Sequence, residues 1–251
     1  MKHLPNIITL GNLFFGCCAI SFILTSHPFL SSFGGEEYWV LGTEQLMWGA
    51  LCILLAAVCD FFDGLVARAM GVSGPMGIQL DSLADVVSFG VAPAMILYKM
   101  LWGAWMKEPH ALDVPIHLSA PAFLLACFAA LRLAKFNIST EQKTYFRGMP
   151  TPAVGLVVAS LVPIQFYNVK GAGIILQQWW VLYLIIAVLC WLMVSPLKFF
   201  SFKFSGKGFK GNEMRYIFIL LSIVLMATLQ YLAIPVIFAA YIVFSIFYKY
   251  E

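Results

Sequence analysis

Charge is scarce in this sequence: 11% of its 251 residues are Asp, Glu, Lys or Arg, where an ordinary globular chain carries about 25%. Long polar stretches are scarce too. The two longest lie around 26–45 and 195–213, and neither is long enough for a soluble domain. There is no internal repeat and no low-complexity tract, so residues 1–251 read as a single domain. The six cysteines, Cys17, Cys18, Cys52, Cys59, Cys127 and Cys190, all fall inside apolar stretches. They lack the spacing of a zinc site or a secreted disulfide framework and read as small packing residues. The formal net charge is only +3, and nucleic acid is not implied.

What is abundant is apolar surface: 62% of residues are hydrophobic and the mean hydropathy is +0.90. Stretches near the roughly 20 residues needed to cross about 30 Å of hydrocarbon recur along the chain. They run about Leu4–Thr25, Leu46–Met70, Met76–Leu101, Leu118–Ile138, Pro152–Tyr167, Ile174–Val194, Arg215–Leu232 and Ala233–Tyr248. These predict an all-α, polytopic membrane helix bundle of about eight transmembrane helices, the last two forming one hairpin or one broken segment. Lys2 and His3 before the first run mimic a signal peptide. Pro5, Asn6 and Thr9 interrupt that run and no small-residue cleavage pattern follows, so the first helix reads as retained.

Loop cations orient the bundle, because short loops rich in Lys and Arg stay cytoplasmic. With the N-terminus inside, Lys2, Arg68, Arg132, Lys135, Lys143, Arg147, Lys198, Lys203, Lys207, Lys210, Arg215 and Lys249 fall on the cytoplasmic side. Lys99, Lys107 and Lys170 fall outside, and the loop holding Glu36 and Glu37 has no cation. Both termini are therefore expected in the cytoplasm, in a multi-pass protein of the inner (cytoplasmic) membrane whose basic side faces anionic lipid. The seven tryptophans, Trp179 and Trp180 among them, read as interfacial and packing residues. His3, His27, His110 and His117 are scattered and receive no chemistry.

Four of the five aspartates, Asp60, Asp63, Asp81 and Asp85, lie inside the second and third apolar segments. A carboxylate near the bilayer centre costs on the order of 3 kcal/mol on insertion scales, so four of them call for a metal, a wet cavity or a function. Asp60, Asp63, Gly64 and Ala67 stand at i, i+3, i+4 and i+7, while Gly77, Asp81, Asp85 and Ser88 make a second stripe on the next helix. The short breaker-rich turn Gly71-Val-Ser-Gly-Pro75 makes the two helices antiparallel neighbours, so the stripes can face each other. Paired carboxylates without Cys or His suit hard divalent cations, Mg2+ or Mn2+, and two such ions are the usual device for phosphoryl displacement. Gly64 and Ala67 leave room beside them, and Arg68 offers a bidentate donor to a phosphate. An ion-coupled transporter is the alternative from another class, although no second copy of the aspartate pair is present.

Written out, residues 60 to 85 read Asp60-x2-Asp63-Gly64-x2-Ala67-Arg68-x8-Gly77-x3-Asp81-x3-Asp85. This resembles the complete signature of the CDP-alcohol phosphotransferase family, whose eight fixed positions arise by chance on the order of once in 10^10 starting points at average residue usage. The opening Leu4-Pro5-Asn6-Ile7-Ile8-Thr9, the run from Leu80 to Pro93, the segment Leu131-Arg132-Leu133-Ala134-Lys135-Phe136-Asn137 and the turn from Phe146 to Pro152 resemble its phosphatidylserine synthase branch.

The resemblance implies a membrane enzyme that moves the phosphatidyl group of CDP-diacylglycerol onto the hydroxyl of L-serine and releases CMP. It also implies the division of labour. Asp60, Asp63 and Asp81 would bind two divalent ions, with Asp85 sharing one and acting as the base. Asn6, Thr9, Asp60, Gly64, Ala67, Arg68 and Gly77 would receive the CDP-lipid. Arg132 and Asn137 would lie at the acceptor pocket, and Lys135 and Arg147 are candidates for the acceptor carboxylate from their charge and side of the membrane. Glycerol 3-phosphate or inositol phosphate are the rival acceptors, and a homodimer is the implied assembly.

Overall fold

The computed structural model describes residues 4–26, 29–33, 36–40, 43–71, 74–109, 115–138, 145–200 and 213–247. The expectations for Lys2, His3, His27, His110, Lys143, Lys203, Lys207, Lys210 and Lys249 lie outside these residues, as do the side chains of Glu36, Glu37 and Arg147.

Among the described residues ten α-helices run in chain order: α1 (Leu4–Leu24), α2 (Thr43–Met70), α3 (Pro75–Asp85), α4 (Ala92–Trp105), α5 (Leu124–Ile138), α6 (Thr151–Phe166), α7 (Ala172–Ile175), α8 (Trp179–Val194), α9 (Glu213–Leu229) and α10 (Ala233–Phe247). Two antiparallel strand pairs add to the all-helical expectation. One joins β1 (Phe29–Phe33) to β2 (Glu36–Val40), and the other joins β3 (Tyr145–Arg147) to β4 (Lys198–Phe200). The first satisfies the backbone groups of a connection by pairing locally, and the second joins two connections far apart in sequence.

α1 buries Pro5, Thr9, Asn12, Gly16, Ala19 and Ile23. Their alternating spacing of four and three residues places them on one stripe, which runs along α2 and meets α3. α3 passes into α4 through a π-helical turn, Val86–Val91, closed by the Ala92 amide donating to the Val87 carbonyl. Pro93 follows directly and has no N–H to continue an α ladder, which accounts for a wide turn at this place. Helices come close together at this turn: a Cβ on Gly16 would run into Ser88, and one on Gly155 of α6 would stand 3.0 Å from the Phe89 ring. Gly16→Val is accordingly expected to destabilise the protein by about 1–3 kcal/mol or more, read as a lower melting temperature in detergent. Gly11→Ala is the control, because its Cβ would meet only Cys59 Sγ at 3.6 Å.

α6 is the central helix and is buried nearly all round from Val154 to Ile164. Phe89, Ile96, Leu97 and Leu101 from the α3–α4 rod, Leu125 and Ala129 from α5, and Leu182, Ile186 and Leu189 from α8 complete the core. The outward faces stay apolar, with Trp48, Leu51, Leu54, Val58, Phe61, Phe62 and Leu65 of α2 all exposed. Such a continuous apolar face belongs to a multi-pass membrane protein.

Against the expected eight spans, five helical stretches among the described residues are long and apolar enough to cross: Leu4–Leu24, Glu44–Met70, Pro75–Trp105, His117–Ile138 and Met214–Ile246. α6 and the Val169–Ile175 segment make a sixth if their 111° bend is one broken span. The segment expected over Ile174–Val194 is divided, since Gln178 is extended and α8 has only 16 residues. The last stretch folds back on itself. The Phe218 ring lies 5.8 Å from Tyr241 and 5.7 Å from Phe244, whereas an unbroken helix would hold Phe218 and Tyr241 about 35 Å apart. The break is at Gln230, with φ +50°.

Candidate active site

The polar residues gather where α1 begins, α2 ends and α3 begins. Asp60 and Asp63 come from α2 and Asp81 from α3. Each can place one carboxylate oxygen within 4.8 Å of the others'. Asp63 Oδ2 and Asp81 Oδ1 are enclosed and have no hydrogen-bond partner. Three ionised carboxylates at that separation repel by about 3 kcal/mol per pair at an effective dielectric near 20. Hard, anionic and unsatisfied oxygens in this number fit a divalent cation of the Mg2+ or Mn2+ type.

Asp85 stands one step apart from this trio. It is 5% exposed, and its Oδ1 accepts a hydrogen bond from Asn12 Nδ2 of α1 at 3.2 Å. It remains within the electrostatic reach of Asp60 and Asp81. Ser88 Oγ, in the π-helical turn, donates to the Asn12 carbonyl at 3.0 Å, so α1 is tied to this stretch twice.

Among the described residues, Arg132 of α5 is the cation whose charge reaches Asp60 and Asp85. It is 9% exposed, its Nη1 donates to Thr151 Oγ1 at 3.3 Å, and its Cζ lies 5.4 Å from the centre of the Phe136 ring. Its Nε is enclosed without a partner, a donor left available inside the bundle. Thr151 opens α6, and its place is set by the preceding turn. There the Gly148 amide donates to the Leu197 carbonyl, and the Met149 amide to the Leu192 carbonyl. Gly148 has φ +75° and lies against the Met193 carbonyl, a position that only glycine fills without strain.

The other expected residues divide into two groups. Thr9 Oγ1 donates to the Pro5 carbonyl at 3.0 Å and lies within hydrogen-bonding reach of Asp63. Asn6 lies beside Gly77, whose added Cβ would stand 3.4 Å from Asn6 Oδ1. The Arg68 guanidinium folds back over Gly64, and Ala67 is half-buried on the same helix. The remaining acceptor candidates lie further out. Asn137 is exposed and donates to Ser82 Oγ at 2.9 Å, and Lys135 is exposed. Arg147 sits on β3, its Cα paired with Lys198.

Asn12 and Thr151 are functional candidates that sequence reasoning passed over. The signal for Asn12 was available: a lone amide inside an apolar run, three residues after Thr9, is costly in lipid without a partner. For Thr151 the signal was only its place in the turn from Phe146 to Pro152, because the folded turn is what brings it to Arg132.

A multi-pass helical bundle that encloses a carboxylate trio, a further aspartate and an arginine defines a membrane protein with a buried polar centre of enzyme type. Residues 2–191 match the model of the CDP-alcohol phosphatidyltransferase family, and the chain belongs to that family. Membership makes it a phosphotransferase of phospholipid synthesis and removes the ion-coupled transporter alternative. The chain is similar to the CDP-diacylglycerol–serine O-phosphatidyltransferase of Bacillus subtilis (strain 168), 32% identical over 208 residues, 81% of this chain and 93% of that protein. It is similar to the enzyme of the same name from Helicobacter pylori (strain ATCC 700392 / 26695), 28% identical over 246 residues, 96% of this chain and 89% of that protein. The archaetidylserine synthase of Methanothermobacter thermautotrophicus is 35% identical over 133 residues, 51% of this chain and 52% of that protein.

Proposed function

We propose that this protein transfers the phosphatidyl group of CDP-diacylglycerol to the hydroxyl of L-serine, giving phosphatidylserine and CMP. The observation that carries this reading is the clustering of Asp60, Asp63 and Asp81, with Asp85 alongside, within the family's motif. The names of the relatives support serine as the acceptor. Asp60, Asp63 and Asp81 would hold two divalent ions, Mg2+ or Mn2+, with Asp85 sharing one. Bound there, such ions supply charge neutralisation for the pyrophosphate and the departing CMP phosphate.

The chain's own residues do the rest. Asn6, Thr9, Gly64, Ala67, Arg68 and Gly77 receive the nucleotide head while the acyl chains stay in the bilayer. Asp85 accepts the proton of the serine hydroxyl as its oxygen bonds to the phosphorus bearing diacylglycerol, and the bond from that phosphorus to the CMP oxygen breaks. Arg132, with an enclosed donor left over, is placed to take the serine carboxylate. Asn137 would belong to the acceptor pocket, and Lys135 and Arg147 are the further candidates for that carboxylate.

The same reading takes residues 1–251 as one domain of about eight spans, with α8, α9 and α10 as short spans. Both termini and the site face the cytoplasm from the inner membrane, and two copies form a homodimer. The cation asymmetry of the loops supports that orientation.

The test is CMP release by purified protein given CDP-diacylglycerol and Mn2+ or Mg2+, with serine, glycerol 3-phosphate and inositol phosphate offered in turn. Release is expected to be fastest with serine. A faster rate with either phosphorylated acceptor would assign the chain to that acceptor instead.

A further inference from the structure

Asn12 lies fully enclosed in the buried stripe of α1, between Thr9 and Gly16. Packing does not account for it, since a leucine would fill an apolar stripe without leaving a polar atom unmet. Its Nδ2 instead reaches across to Asp85 Oδ1 at 3.2 Å. Its own carbonyl accepts from Ser88 Oγ at 3.0 Å, so the turn of α1 carrying the amide is anchored to the chain segment carrying Asp85. The price of that orientation is an enclosed amide oxygen, Oδ1, with no donor to meet it. Half-satisfied buried amides persist where function uses the satisfied half.

A single neutral donor on one oxygen of a carboxylate fixes the plane of that carboxylate and leaves its other oxygen to work. We propose that Asn12 is a positioning residue for Asp85, holding Oδ1 so that Oδ2 is presented to the acceptor hydroxyl. This rests on the reading of Asp85 as the group that takes the acceptor's proton. In this role Asn12 acts on Asp85 and not on the substrate. Its effect passes through the orientation of Asp85.

The experiment is steady-state kinetics on the purified full-length protein and three variants, with CMP release as the readout. Asn12→Leu removes the amide, Asn12→Asp keeps its shape but replaces the donor with an oxygen, and Ser88→Ala removes the anchor on the Asn12 carbonyl. Both Asn12 variants are expected to lose about 10- to 100-fold in kcat, the scale of a misaligned catalytic group, while KM for the CDP-lipid stays within about threefold. Ser88→Ala should lose less, again in kcat alone. A purely structural role would lower yield or melting temperature and leave the kcat of the folded fraction intact.

Wild-type kcat in Asn12→Asp would overturn the proposal, as would a rise in KM that matches the fall in kcat. Should Asn12→Leu fail to fold, Asn12→Asp and Ser88→Ala still decide it. If the wild-type protein releases no CMP with any acceptor, the role given to Asp85 fails and takes this inference with it. Normal turnover by both wild type and Asn12→Asp defeats the positioning alone.

Discussion

Asp85→Asn is expected to lower kcat by about 10^2- to 10^4-fold, the usual contribution of a general base, with binding of the CDP-lipid nearly unchanged. The physical ground is the separation of Asp85 from the three-carboxylate cluster. Asp60, Asp63 and Asp81 keep their mutual arrangement without it. The amide that replaces the carboxylate has the same shape and can still accept from Asn12 Nδ2, so the α1–α3 contact survives. What the variant loses is an anionic oxygen able to take a proton. Binding is measured with CDP-diacylglycerol in detergent, and turnover as CMP release. Near-normal turnover would rule Asp85 out as the base, and an equal loss of binding would make it a ligand alone.

Asp81→Asn should fail for a different reason and be recognisable by it. Asp81 Oδ1 is enclosed and unpartnered, and Asp60 and Asp63 each place an oxygen within 4.8 Å of Asp81. Removing one negative charge from this group takes away a ligand. Affinity for Mn2+ should therefore fall by more than the 10- to 100-fold that loss of an outer partner typically costs. Turnover should fall with it and recover in part as Mn2+ is raised. Asp85→Asn should recover little, because raised Mn2+ can restore the ion it shares but not the group that takes the proton. Mn2+ bound to the purified protein, followed by its paramagnetic resonance signal, reads the affinity directly. The same substitution relieves repulsion worth about 3 kcal/mol per ionised pair, so the melting temperature without metal should hold or rise. A lower melting temperature without metal would mean that the aspartates serve the fold rather than an ion.

Much of this site is legible in the order of residues. The i, i+3 and i+4 spacings of Asp60, Asp63, Asp81 and Asp85 predict two facing stripes, and the folded chain does bring Asp60, Asp63 and Asp81 together across the turn at Gly71. Local periodicity suffices there because the helices are consecutive and the turn between them is short. Arg132 is separated from Asp85 by an α-helix, a loop and a 3-10 turn, and its approach to Asp60 and Asp85 was expected only through family resemblance. Asp85, at the end of α3, and Ser88, in the π-helical turn Val86–Val91, both meet Asn12 of α1. A fixed 3.6-residue period contains no sign of that turn beyond the proline that follows it.

The strand pair β3–β4 depends on contacts between segments distant in sequence, and the choice between a hairpin and one broken segment at Gln230, left open by the sequence, depends on a φ that glutamine rarely adopts. Helical pattern does not carry them. Span count likewise depends on where the chain bends. Hydropathy marks apolar stretches, but the extended Gln178 and the 111° bend after α6 interrupt them without changing their composition.

Composition and spacing by themselves determined that this chain is a membrane helix bundle and that its aspartates stand as two pairs on neighbouring helices, because solvent preference and helical period act locally. Only the tertiary structure decided which aspartate stands apart from the cluster, which amide holds it and which arginine faces it. Those relations depend on the close approach of α1, α5 and the π-helical turn, where Gly16 leaves room for Ser88, and no single segment contains both sides of such a contact.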